Sequence, residues 1–207
     1  LTDSKKQQCN HNMSFADFCA ILSDALSQGK RIDPHFLPMS LQCDPCVVNF
    51  TLIGKLEMFM SDTRDILRVA NISFTDVTGD VVDITTANEL ANMNDVIVRV
   101  ISYAKKTNIT CLQNKDVADR LWRHLQIRGF LSKTIPIPLY LLQNDSSTVY
   151  QETYIAAAFQ AYYKSGTSEE RLRQKNEAMM EAYASVPNEI LDKLSRIFAE
   201  DCLLFDY

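Results

Sequence analysis

Glycine is scarce, five in 207 residues, and no two of them lie close enough to build a phosphate-cradling loop. No run of eighteen apolar residues occurs, so nothing here reads as a membrane span, and no signal-peptide pattern is visible. Positive charge is in deficit. Lys and Arg number 21 against 26 Asp and Glu, and the formal charge of -5 speaks against nucleic-acid binding, which wants a basic face. Internal repeats and low-complexity linkers are also missing. The 46% hydrophobic content suits a packed core, and the length fits one large domain or two small ones.

Cysteine is well supplied. The six are Cys9, Cys19, Cys43, Cys46, Cys111 and Cys202, an even number that agrees with an oxidising lumen. Sequons agree as well. Asn12, Asn49, Asn71, Asn108 and Asn144 each begin an N-x-[ST] triplet, where chance would supply roughly one or two. Asn49 falls inside an expected strand, leaving Asn12, Asn71, Asn108 and Asn144 as glycosylation candidates. The chain reads as a secretory-pathway protein.

Periodicity predicts mostly helix. Ser14-x-x-Asp17 has the form of a capping box, followed by an apolar stripe of Phe15, Phe18, Cys19, Leu22 and Leu26 that stops at Gly29. Residues 31–46 carry Pro34, Pro38 and Pro45 and read as irregular loop. Val47–Ile53 is β-branched and apolar nearly throughout, as a buried parallel strand would be. Ser61 is expected to cap a helix to Ala70, and residues 71–85 to hold a further strand with a turn at Gly79. Thr86-x-x-Glu89 should open a long helix to Lys106. Further helices are expected at 115–128, 148–164 and 168–183, with Ile135–Leu142 as a helix-free connector. Pro187 introduces the last helix, with Ile190, Leu191, Leu194, Ile197 and Phe198 on one face. The expected fold class is therefore α/β, predominantly helical with one or two strands of a parallel sheet. A lone buried strand cannot satisfy its own backbone, so its partners should lie in other polypeptide.

Several residues could carry chemistry, each with a plainer alternative. Cys43-Asp-Pro-Cys46 lacks the four ligands of a zinc site, and its proline and following strand contradict a thioredoxin-type redox motif. It reads as a structural turn, with Cys43 and Cys46 as disulfide candidates. No metal is expected. Gly54-Lys55-x-Glu57 follows the expected strand, where open sheets collect ligands, so Lys55 and Glu57 are cofactor-binding candidates; the alternative is an ordinary turn with a surface ion pair. His35 could serve as catalytic general base or simply fix the proline-rich loop by hydrogen bonds. Arg120, His124 and Arg128 share a helix face with Arg123 beside them, a candidate acceptor-binding surface for acidic sugars or else a solvated helix face.

Two blocks then carry a family resemblance. The first includes Ser14-Phe-Ala-Asp-Phe, His35-x-x-Pro38, Cys43-x-Pro-Cys46, Ile53-Gly-Lys-x-Glu57 and Asp62; the second is Asp201-Cys-Leu-Leu-Phe-Asp-Tyr207. Order and spacing resemble the Golgi carbohydrate sulfotransferases that modify chondroitin, dermatan and related glycans. Phe36, Phe50, Thr51, Leu56 and Met58 stand where that family has Trp, Tyr, Asp, Phe and Thr. The resemblance implies a P-loop-like sulfotransferase fold, of which this chain is the C-terminal portion, with 14–67 and 186–207 family-like and 72–180 a helical insertion. It implies sulfuryl transfer from 3′-phosphoadenosine 5′-phosphosulfate (PAPS) to a hydroxyl of a glycosaminoglycan or glycoprotein glycan. The family's main PAPS-binding loops precede its Ser14-like block and are not seen here, so the chain alone is expected to be inactive. Location in the Golgi lumen, through a membrane anchor likewise upstream, is implied too. The alternative is a non-catalytic lumenal glycan-binding module on the same scaffold.

Overall fold

The structure, a computed structural model, describes residues 13–43, 47–48, 50–55, 58–72, 81–107, 113–143 and 149–206. It divides into two compact units, one of residues 80–181 and one of residues 12–79 together with 182–207.

The 80–181 unit is a helical bundle of α4 (Val81–Thr107), α5 (Asn114–Ile127), α6 (Leu139–Gln143), α7 (Val149–Tyr163) and most of α8 (Ser168–Ala184). Met93, Ile97 and Ile101 recur every fourth residue along α4, which puts them on one stripe. They meet Leu121, Trp122 and Leu125 of α5 and Tyr154, Ala158 and Ala161 of α7 in one apolar core. The small alanines of α7 let its neighbours approach closely. Two buried aromatics have their polar ends satisfied, Trp122 Nε1 donating to the Ile135 carbonyl at 3.0 Å and Tyr154 Oη to that of Ala118 at 3.0 Å, whereas the buried Tyr150 hydroxyl finds no partner among the described residues.

In the 12–79/182–207 unit, α1 (Phe15–Ser27) packs on α9 (Asn188–Ile197), and α2 (Met39–Cys43) on α10 (Ala199–Phe205); α3 (Phe59–Val69) is a further helix among the described residues. The expected capping box is present, with Asp17 N–H donating to Ser14 Oγ and Ser14 N–H to Asp17 Oδ2. Cys19 is buried on the stripe read from sequence. Rings link this unit laterally, Phe15 edge-on to Tyr183 and Phe18 to Phe36, with centroids 5.2 and 5.1 Å apart.

The α/β expectation is overturned. No strand occurs among the described residues. Val47 lies in a turn and Val48 in a bend, Phe50, Leu52 and Ile53 are irregular, and all five are exposed, Val47 to 78%. Apolar, β-branched composition favours a strand only where a neighbour takes up its N–H and C=O groups, and no described segment does so. Most of the second expected strand, residues 73–80, lies outside the described residues, and 81–85 belong to α4.

Other boundaries also shift. Because α4 begins at Val81, Thr86 and Glu89 sit inside it and do not cap it. Met58, not Ser61, precedes α3, and Ser61 turns its hydroxyl back to the Met58 carbonyl at 2.8 Å. The 31–46 loop holds a 3₁₀ turn at Pro34–Phe36 and the short α2. The connector after Ile135 is extended only to Pro138, because proline starts a helix as readily as it ends one and α6 follows at once.

Candidate functional site

The family-like blocks of the sequence meet in the 12–79/182–207 unit, around a cavity of about 590 Å³. Its wall is largely apolar: Met39, Phe50, Leu52, Ile53, Phe198 and Phe205, with the thiols of Cys43 and Cys202. Polar character is confined to Lys55 and Asp201, and both are engaged in holding the cavity together.

Asp201 stands at the start of α10 and receives two backbone donors of α2, Met39 N–H at 2.6 Å and Ser40 N–H at 2.8 Å. It thus does from a distance what an N-cap residue does locally. Partial burial pushes its carboxyl up, but the bonds from Ser40 and Met39 outweigh that and hold its pKa below the ordinary carboxylate value.

Lys55 is tied at both ends. Its N–H donates to Asp62 Oδ2 at 2.7 Å, and its ammonium donates to the Asp206 carbonyl at 2.7 Å, with the Asp206 carboxylate 3.3 Å away. Gly54 lies beside the first turn of α3, where an added Cβ would come 3.4 Å from Asp62 Cβ, an ordinary contact that does not demand glycine. Lys55 of the Gly54-Lys55 motif and Asp206 of the closing block therefore grip one another. Glu57 lies outside the described residues.

These residues do not fit PAPS. A donor with several negative charges needs converging cations and N–H groups. The cavity offers hydrocarbon, two thiols, a carboxylate and one ammonium already bonded to Asp206. Among the described residues no cluster of metal-ligating side chains forms either.

His35 lies on the same loop, four residues before Met39 of the cavity wall. Asp33 caps the Pro34–Phe36 turn by accepting His35 N–H at 3.0 Å, and the same oxygen, Oδ1, lies 2.6 Å from His35 Nδ1. Both side chains are open to solvent, His35 to 88%. Asp33 was not singled out from the sequence. The readable signal was Asp-Pro at the head of a turn, where an Asp side chain commonly accepts from the backbone two residues on.

The expected acceptor surface belongs to α5, in the other unit. Arg123 pairs with Asp119 at 2.8 Å, the Arg128 guanidinium stacks over Phe130 at 5.4 Å, and Arg120 is exposed. Beside them His124 is shifted down by desolvation and then by Arg128, so it resists becoming a further cation. Cys43 ends α2 with its Sγ 3.4 Å from Met39 Sδ; Cys46 lies outside the described residues. Of the glycosylation candidates only Asn71 is described. It is exposed, at φ 57° in the turn closing α3, a left-handed position that asparagine tolerates. Asn12, Asn108 and Asn144 lie outside the described residues.

A second ionic site was missed altogether. Arg171 of α8 is 7% exposed; it donates to Glu89 Oε2 at 2.6 Å, to Tyr162 Oη at 3.0 Å and to the Gly166 carbonyl at 2.9 Å. Burial and then Glu89 push the Tyr162 hydroxyl upward. Periodicity showed α8 only as a charged helix, because a buried charge has no signature until its partner is placed.

No curated protein and no solved structure matches the chain. Residues 1–89 match the sequence model of the sulfotransferase family, a region that contains the Ser14 block, the Asp33–His35 turn and Gly54-Lys55.

Proposed function

We propose that this chain is the C-terminal portion of a Golgi carbohydrate sulfotransferase that moves a sulfuryl group from PAPS to a hydroxyl of a glycosaminoglycan or glycoprotein glycan. The observation that carries the reading is the sulfotransferase match over residues 1–89. Packing of the closing Asp201–Asp206 block against that region supports it, since Asp201 and Asp206 bond to residues 39, 40 and 55. The 80–181 unit is then an insertion into the family scaffold.

PAPS supplies an activated sulfuryl group. The described residues do not provide its cradle, so no step is assigned to Lys55. Their part is to shape the acceptor side, where His35 is the candidate general base. Arg120, Arg123 and Arg128 belong to the 80–181 unit and are proposed separately, as a surface of that unit for an anionic sugar. On this reading the sequons and cysteines belong to a lumenal protein reached through a membrane anchor.

That the described residues offer no cradle for PAPS favours a second reading, a lumenal glycan-binding module without transfer activity. One assay decides. The complete open reading frame is expressed and incubated with labelled PAPS and a glycan panel. Incorporation into at least one acceptor is expected; folded protein that binds glycans yet incorporates nothing would replace the enzyme by the module.

A further inference from the structure

Asp33 and His35 form a pair whose geometry exceeds what a loop contact requires. Free imidazole in its neutral form favours the proton on Nε2, which leaves Nδ1 as the lone pair. Here Nδ1 lies 2.6 Å from Asp33 Oδ1, and a carboxylate can only accept, so Nδ1 must carry the proton. The lone pair is displaced to Nε2, the outer corner of a ring that is 88% exposed.

The carboxylate is not a wandering surface group. Asp33 caps the Pro34–Phe36 turn with backbone angles of -61° and 129° and is held by the His35 N–H at 3.0 Å. Its pKa is lowered by that backbone bond first and by the His35 ring second, so it stays ionised across the neutral range. Pro34 fixes the backbone between the pair, and Phe36 is anchored edge-on to Phe18, with ring centroids 5.1 Å apart. Because cap and ring share one oxygen two residues away, ordering the ring adds little entropy to what the turn already fixes.

Resting on the sulfuryl-transfer reading, we propose that Asp33 is the positioning residue of the reaction: it holds the His35 imidazole in the Nδ1–H form so that Nε2 is the base presented to the acceptor hydroxyl. In the transfer the acceptor O–H bond would break as the Nε2–H bond forms, the freed electron pair on oxygen would make the new O–S bond, and the donor's S–O bond to its phosphate would break, the pair leaving on the phosphate; the imidazolium would face the Asp33 carboxylate 2.6 Å from Nδ1. A carboxylate behind an imidazole does this in other general-base catalysts, where its loss leaves the wrong tautomer.

Two measurements test it. Nitrogen NMR on histidine-labelled protein reports which ring nitrogen carries the proton, and loss of one signal set in His35→Gln assigns it. The expected result is Nδ1–H for neutral His35, reverting to Nε2–H in Asp33→Ser, which keeps a capping side chain but not the carboxylate. A wild-type Nε2–H form would overturn the proposal whether or not the protein is an enzyme. In the transfer assay, Asp33→Ser should lower kcat by roughly ten- to a hundredfold with acceptor KM little changed. An unchanged kcat would equally overturn it. Wild-type protein that incorporates no sulfate, yet shows the Nδ1–H form, would sink the sulfotransferase reading and leave the ring geometry standing.

Discussion

At the scale of single residues, side chains that look like binding groups are spent on cohesion. Asp201 satisfies two donors that a five-residue helix cannot satisfy internally. Asp201→Ala should therefore cost about 1–2 kcal/mol, visible as a lower denaturant midpoint without a change in slope. Its folded pKa lies below the ordinary value, so its contribution is complete above about pH 4 and disappears as pH falls through the folded value. His124 acts at higher pH and with the opposite charge type. Burial and Arg128 depress its pKa from 6.5, so between the two values the unfolded chain binds the extra proton. Stability should be level above about pH 6.5 and decline below it, and His124→Gln should flatten that decline in urea titrations run from pH 7.5 to 5.

At the scale of elements, turns matter more than helix propensity. Gly129 ends α5 at φ 75°, and a Cβ there would meet the Arg171 carbonyl at 2.7 Å. Gln174 then stitches the following loop to α8, taking Lys133 N–H at 2.7 Å and donating to the Gln126 and Leu131 carbonyls at 2.6 and 2.8 Å. Gly129→Ala combines left-handed strain with a backbone clash, and about 2–3 kcal/mol of destabilisation is expected in thermal melts. Gly129 was legible as a helix stop, since glycine after a periodic run marks a C-terminus. That α8 packs against it was not, because nothing local to residue 129 names its neighbour. The misplaced strand teaches the same thing from the other side. Val47–Ile53 has strand composition, but pairing is a property of two segments and composition describes only one.

At the scale of the whole molecule, each unit holds its own ionic fastening. Trp122, the chain's one tryptophan, lies in the core of the 80–181 unit, so its fluorescence reports on that unit. Removing Glu89 would leave Arg171 buried and unpaired, and Glu89→Ala should lower the Trp122 transition by an amount equivalent to about 3 kcal/mol. Asp201→Ala, in the other unit, should move the circular-dichroism melt while leaving the Trp122 transition in place. A single transition shifted equally by both substitutions would show that the units unfold as one block.

Helix stripes, caps and stops could be read without coordinates, because each depends on residues three or four apart along the chain: Ser14 with Asp17, Cys19 on its apolar stripe, Gly129 at its stop. The same holds for the sulfotransferase-like blocks, which are patterns of order and spacing. Only the tertiary structure decided that Val47–Ile53 forms no strand among the described residues, that Lys55 reaches Asp206, that Asp201 serves α2, and that Arg171 finds Glu89. Those pairings join residues about 80 to 160 positions apart, and the energy of a contact depends on distance in space, which local sequence does not encode.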